Sequence, residues 1–216
     1  MKSVVLFSGG MDSTVALKKE VDHWTAPEVL ALTVLYGQKH YKEAEAAAKI
    51  TELLRVKHRI VKLPNDILSG SKLTDATSEV PRVSYEEIEG LSPLYVPFRN
   101  GLFISIAAAI AVQVGATHVV IAAHASDHER EAYPDCSPAF ARSMGSAIYL
   151  GTGESVMLYA PFIHLSKASV ASWGKKCNAP MQLSWSCYVG GDEPCGTCPT
   201  CRDRQAALEA AGLGYK

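Results

Sequence analysis

The chain of 216 residues carries 21 lysines and arginines against 22 aspartates and glutamates, a formal net charge of −1 at pH 7. Hydrophobic residues make up 48%, enough for an ordinary core, and the near-neutral charge argues against nucleic acid as a stable partner. No apolar run reaches the roughly 18 residues that a membrane span needs, and Met1-Lys2 passes into an apolar run without a cleavable signal pattern, so a cytoplasmic protein is expected.

In chain order, apolar β-branched runs predict strands over 3–7, 28–35, 58–63, 118–123 and 156–160. Between and after them, helical patterns cover 11–21, 39–54, 101–114, 138–150, 167–176 and 202–211. The alternation predicts an α/β fold, a doubly wound parallel sheet with helices on both faces. The helix over 101–114 is nearly all apolar and is expected to be buried on most sides. Residues 69–97 carry Gly70, Gly90, Pro81, Pro93 and Pro97 with an acidic stretch, which predicts a long excursion beside a site. From about Ser184 the chain turns rich in cysteine and glycine. The expected organisation is one α/β part over 1–183 and a small cysteine-rich subdomain over 184–216.

The first strand runs into Ser8-Gly9-Gly10, then Met11, Asp12, Ser13 and Thr14 as a helical pattern begins. In a doubly wound sheet this position lies at the carboxyl ends of the strands, where ligands sit. The glycines let backbone approach a ligand, and the helix N-terminus offers free N–H groups and a positive dipole end. The hydroxyls of Ser8, Ser13 and Thr14 add donors, so the stretch reads as an anion cradle suited to phosphate. No GxxxxGK[ST] is present, so it is not the Walker A loop. A carboxylate at Asp12 facing phosphate makes sense with a divalent cation between them, which points to Mg²⁺. The plainer alternative is a glycine turn with Asp12-Ser13 capping the helix.

Cys187, Cys195, Cys198 and Cys201 form C-x7-C-x2-C-x2-C among glycines and prolines. Four thiolates suit one tetrahedral ion, and Zn²⁺ held this way has no open position, so the site would be structural. Reduced thiols without metal and a disulfide pair are the alternatives. Arg202 and Arg204 follow, placed to meet thiolate sulfurs or a nucleotide.

The string SGGMDST resembles the SGGxDS signature of the PP-loop ATP pyrophosphatases. The resemblance implies a Rossmann-like domain of the adenine nucleotide alpha hydrolase type. It implies ATP bound along Leu6, Phe7, Ser8, Gly9, Gly10, Met11, Asp12, Ser13, Thr14, Val15 and Ala16, cleavage between the α- and β-phosphates, and AMP transfer to a substrate oxygen. Some PP-loop thiolases carry an iron–sulfur cluster, which keeps that centre open beside zinc. The stretches YGQKH from Tyr36, VPFRN from Val96, YPDC from Tyr133 and LSKA from Leu165 stand in order between the loop and the cysteines. Together they are similar to the 7-cyano-7-deazaguanine synthases over nearly the whole chain.

That second resemblance implies a reaction. The carboxylate of 7-carboxy-7-deazaguanine is adenylated, ammonia displaces AMP to give an amide, and a second ATP activates the amide oxygen so that the nitrile forms. It also implies a homodimer. Asp12, Ser13, Arg99 and Lys167 are the catalytic candidates, with Arg99 and Lys167 neutralising charge that develops on the phosphates. Tyr36, Asn100, His124, Asp127, Tyr133 and Asp135 are the substrate candidates. A carboxylate at Asp127 or Asp135 accepts from the N1–H and the amine of a guanine-like ring, and Tyr133 is placed to stack on it. Plainer readings make Arg99 and Lys167 surface charges, Tyr133-Pro134-Asp135 an ordinary turn and His124 a satisfied neighbour. Cys136 is expected as a packed or pocket-lining thiol, and Cys177 as a buried one. The chain departs from the family pattern at Leu35, Phe98 and Ser137 and in the link over 128–132. The rival readings are a ligase handing the same adenylate to another acceptor, a tRNA thiolase, and a non-catalytic nucleotide-binding module.

Overall fold

The computed structural model describes residues 1–214 except 39–40, 76, 89 and 129–131. Among the described residues five strands form one sheet: β1 (Ser3–Leu6), β2 (Val29–Leu35), β3 (Lys57–Lys62), β4 (His118–Val120) and β5 (Met157–Tyr159), in the order β3-β2-β1-β4-β5. Every pairing is parallel, with Val5 opposite Ala31 on one side and Val120 on the other. β2 and β3 add on one side of β1, and β4 and β5 on the other, so the connections diverge between β1 and β4, where such sheets open a crevice. The helices are α1 (Met11–His23), α2 (Lys42–Leu54), α3 (Arg99–Val114), α4 (Ala125–His128), α5 (Pro138–Gly151), α6 (Lys167–Lys176) and α7 (Pro199–Ala210). The expected doubly wound α/β fold is therefore present, with several strands trimmed at their ends. The helix pattern expected from residue 39 begins at Lys42, and residues 39–40 lie outside the described set. None of the helices in the described residues is long and apolar enough to cross a membrane.

Two cores cover the sheet. On one face Val15 and Leu17 of α1 pack with Phe162, Val170 of α6 and Ala207 and Leu208 of α7. On the other, Ile104, Ala107 and Ala111 of α3 pack on Val4, Leu32 and Val119, with Ile148 of α5. β1 and β2 have no solvent face, which is why they read as unbroken apolar runs rather than alternating ones.

α3 departs from expectation. Gly101, Ile104, Ala107, Ala108, Ile110 and Ala111 are buried, but Ser105, Ala109 and Val112 face outward and Val112 is 52% exposed. With Met144, Ala147 and Gly151 of α5 they line an open apolar groove. The helix is apolar all round because its second face meets α5 only in part. Its N-terminus is set by Phe98, a non-glycine residue in the left-handed region at φ 56°, whose ring packs edge-on against Phe140 at 5.9 Å. Gly101 permits this, since a Cβ there would stand 2.5 Å from the Phe98 ring. Ser137 serves the neighbouring helix, its side chain accepting from the Phe140 N–H as the cap of α5.

The excursion over 69–97 holds one short turn of helix, Tyr85–Glu87, and a small core of its own. Leu73, Leu94 and Val96 pack there on Tyr36, Phe103 and Tyr188, beside the carboxyl ends of the strands as expected.

Candidate active site

A cavity of about 260 Å³ opens above the carboxyl ends of β1, β2 and β4, lined by Ser8, Gly10, Asp12, Ser13, Thr33, Tyr36, Glu43, Arg99, Asp127, Lys167, Trp185 and Tyr188 among others. Its floor is the turn from β1 into α1. Gly9 takes φ +88°, and a Cβ there would overlap the Glu43 carbonyl oxygen and stand 2.8 Å from the Ala47 nitrogen. Only glycine lets the loop lie this close to α2. The Gly10 N–H donates to Ser8 Oγ at 3.1 Å, Ser8 and Ser13 Oγ lie 3.1 Å apart, and Ser13 and Thr14 hydroxyls donate to the Gly10 carbonyl at 3.0 and 2.8 Å. The hydroxyls thus brace the turn, and the first amide groups of α1 have no acceptor within the helix.

Charge collects at one end. Lys167, the first residue of α6, places Nζ 3.3 Å from Asp12 Oδ2 and 2.9 Å from Asp203 Oδ2 of α7. His124 Nε2 stands 3.6 Å from both Asp12 Oδ2 and Asp127 Oδ1. Burial pushes the Asp12 carboxyl up, but Lys167 and then His124 outweigh it and hold it well below the usual carboxylate range. Burial likewise works against charge on His124 and Lys167, yet the surrounding carboxylates keep both above their ordinary values. Asp12 is therefore an anion held in a cationic frame. Its second oxygen, Oδ1, is buried and has no protein partner. A buried carboxylate oxygen left open in this way suits a hard divalent cation such as Mg²⁺.

Arg99, the first residue of α3, lies across the cavity with its guanidinium 5.6 Å from the Tyr36 ring centre and Nη1 donating to the Tyr36 hydroxyl at 3.0 Å. Arg99 and Lys167 both open helices, so the starts of α3 and α6 bring both cations to the cavity.

Of the ATP candidates, Leu6, Phe7, Ser8, Gly10, Met11, Asp12 and Ser13 line the cavity, whereas Gly9, Thr14, Val15 and Ala16 do not. Val15 and Ala16 turn into the core and are fully buried, because α1 shows its opposite face to the sheet. Of the substrate candidates, Tyr36, Asn100 and Asp127 line it. His124 sits behind the wall and acts on Asp12 and Asp127. Asp135 is engaged elsewhere: its Oδ2 accepts from the Asn100 backbone N–H at 3.0 Å, serving the start of α3. Tyr133 stacks edge-on with Tyr85 and Tyr95 and meets Ser92 Oγ at 3.1 Å, so its ring is already packed. Cys136 is a buried, cavity-lining thiol held up by burial, with Asn100 Nδ2 3.2 Å from its sulfur. Cys177 is only half-buried.

The four cysteine sulfurs lie within 4.8 Å of one another, Cys187, Cys198 and Cys201 buried and Cys195 partly so. Backbone N–H groups of Cys195 and Cys198 donate to the sulfurs of Cys187 and Cys195 at 3.4 and 3.3 Å. Such donors favour thiolates, so the set fits a metal ion. Arg204 is buried and donates to Ser184 Oγ at 2.6 Å and to the Met181 carbonyl at 2.7 Å, while Arg202 pairs with Glu87 at 3.8 Å. The arginines therefore anchor the segment and the excursion.

Several lining residues carry no motif signal. Glu43 in the first turn of α2 faces the cavity, and burial, partly offset by Arg99, raises its carboxyl to about 7. Trp185, Ser186, Tyr188 and Thr200 reach the wall from the closing segment. An acid early in a helix reads equally well as a dipole complement, so only the fold shows where Glu43 faces.

Comparison with known proteins agrees with this geometry. A family model described as "Queuosine biosynthesis protein QueC" matches residues 2–212. Proteins named 7-cyano-7-deazaguanine synthase are 42% identical over 99% of this chain and 88% of the relative in Archaeoglobus fulgidus. The corresponding relative in Methanoregula boonei is 41% identical over 98% of this chain and 96% of its own length. Among solved structures, NMN synthetase from Francisella tularensis shares the fold with a TM-score of 0.52 at 18% identity, covering 100% of this chain and 79% of that one.

Proposed function

Because the chain belongs to the QueC family of queuosine biosynthesis proteins, we propose that it converts 7-carboxy-7-deazaguanine and ammonia to 7-cyano-7-deazaguanine with consumption of ATP. The observation that carries this is the meeting, in one cavity, of the serine–glycine loop, the Lys167 and Arg99 cations and an Asp12 carboxylate with one open oxygen. The amides at the start of α1 with Ser8 and Ser13 hold the phosphates. The substrate carboxylate oxygen attacks the α-phosphorus, and the bond to pyrophosphate breaks as Lys167 and Arg99 neutralise the charge that builds on the leaving group. Ammonia then adds to the acyl carbon, loses a proton and expels AMP. The amide oxygen repeats the attack on a second ATP, and loss of AMP with the remaining N–H protons leaves the nitrile.

Mg²⁺ at Asp12 would supply charge neutralisation on the phosphates, and Zn²⁺ on Cys187, Cys195, Cys198 and Cys201 would hold the closing segment. Asp127 is the carboxylate best placed to accept from the guanine-like edge, with Tyr36 and Asn100 beside it, whereas Asp135 and Tyr133 support the wall from behind. The division at residue 184 is functional in this reading, 1–183 supplying the loop and 184–216 closing the cavity over it. A cytoplasmic homodimer with no stable nucleic-acid partner completes it, the apolar groove between α3 and α5 being the face offered to a second copy.

The test is mass spectrometry of the metal-loaded protein with 7-carboxy-7-deazaguanine, ATP, Mg²⁺ and ammonium. The nitrile, AMP and pyrophosphate are expected, and Asp12→Ala should cut their formation about 10²- to 10³-fold. Accumulated amide would limit the reading to the first half-reaction, and an unchanged acid would overturn the substrate.

A further inference from the structure

The closing segment touches the loop on both sides of its cysteine cluster. Two residues before Cys187, the Trp185 N–H donates to the Gly9 carbonyl at 2.9 Å. Two residues after Cys201, Asp203 reaches Lys167 at 2.9 Å, and Lys167 in turn reaches Asp12 at 3.3 Å. Between Cys198 and Cys201, Thr200 lines the cavity with its hydroxyl 3.3 Å from the Cys198 sulfur. One ammonium, 11% exposed, therefore bridges the loop and the helix that carries the last cysteine.

A lysine is a compact charge on a long flexible stem. Without Asp203, Lys167 would keep Asp12 as its closest carboxylate, with Asp127 more distant, and would settle on the group that the phosphate-bound cation needs. A second carboxylate divides the ammonium's hydrogen bonds and fixes its place at the wall, and Asp12 Oδ1 stays open.

We propose that Asp203 is a positioning residue of the nucleotide site: it holds Lys167 between loop and closing helix, keeps Asp12 available to a divalent cation, and so ties the strength of Mg²⁺·ATP binding to an intact cysteine centre. The proposal rests on the ATP-dependent reading above. Asp203 does not touch the reacting atoms; it acts through Lys167.

The experiment measures Mg²⁺·ATP binding by calorimetry, and KM and kcat, for the metal-loaded wild type, Asp203→Asn and Asp203→Glu. Metal content and Tm are followed in parallel. Asp203→Asn should keep its metal and its Tm yet weaken Mg²⁺·ATP binding and raise the Mg²⁺ requirement about 10-fold, as loss of a partner to a ligand-holding group does. KM should rise more than kcat falls, and Asp203→Glu should recover part of the loss. Chelating the cysteine-bound metal should weaken ATP binding in the wild type and add little in Asp203→Asn. Wild-type affinity and Mg²⁺ dependence in Asp203→Asn overturn the proposal alone, as does loss of metal or Tm in that variant, which would make Asp203 a fold residue. A wild type that binds no ATP overturns the functional reading and this proposal together.

Discussion

The turn at residues 8–13 and the segment after residue 184 wall the same cavity, yet they are built on opposite principles. The turn is local. Its shape comes from Gly9 at φ +88° and from hydroxyls bonded within five residues, and its place is fixed by the buried strand that feeds it. Among the described residues, the closing segment joins no strand of the sheet. It is held by four clustered thiols, by Arg204 bonded back to residues 181 and 184, and by Trp185 bonded to Gly9. A site can thus combine a rigid floor supplied by the fold with a wall held by a cluster of thiols and a few long-range bonds.

The largest test of that contrast is Cys198→Ser. Structural zinc contributes on the order of 10 kcal/mol to small zinc-dependent modules, so the variant should lose metal, expose the segment to proteolysis near residue 184 and lose ATP turnover. The rest of the sheet should keep its circular dichroism. A Cys198→Ser protein that retains both metal and turnover would show that the wall stands without the full cluster.

Next in size is Gly9→Ala, which strikes the floor. The left-handed angle and the overlap with α2 together should cost about 2–4 kcal/mol. For a chain of this length that is a fall of roughly 5–15 °C in Tm, with loss of ATP binding while the metal stays. Equal damage to metal content would mean that the two regions fold as one unit.

The smallest test is Glu43→Gln and its pH dependence. Burial raises the Glu43 carboxyl to about 7 in the folded protein. Between roughly pH 4 and 7 the unfolded chain has already released this proton while the folded chain holds it, so stability falls as pH rises. The variant should match the wild type near pH 4 and exceed it by about 2–3 kcal/mol at pH 8. Thermal melts at the two pH values check this, and parallel curves would refute it.

Much of the fold was legible because it follows from local pattern. β1 and β2 are buried on both faces and so read as continuous apolar runs, and α6 begins at Lys167 where Ser166 caps it, with Ser169 N–H donating to its hydroxyl. The partly open face of α3 was not legible, since an apolar helix gives no sign of which side its neighbour fails to cover. In the site, the loop and the four cysteines stood out because their chemistry lies in contiguous residues. Asp135 looked as fit to read a purine edge as Asp127, and only the fold shows that the Asn100 N–H has claimed it.

The sequence by itself determined the strand–helix alternation, the serine–glycine turn, the four-cysteine spacing and the family. Tertiary structure alone decided that Lys167 stands between Asp12 and Asp203, that Glu43 faces the cavity, and that Tyr133 and Asp135 support rather than line it. The physical reason is range. Backbone angles and periodic burial are set by neighbours in the chain, whereas the partner of a long charged side chain is set by which distant segments the closed sheet brings within about 3 Å.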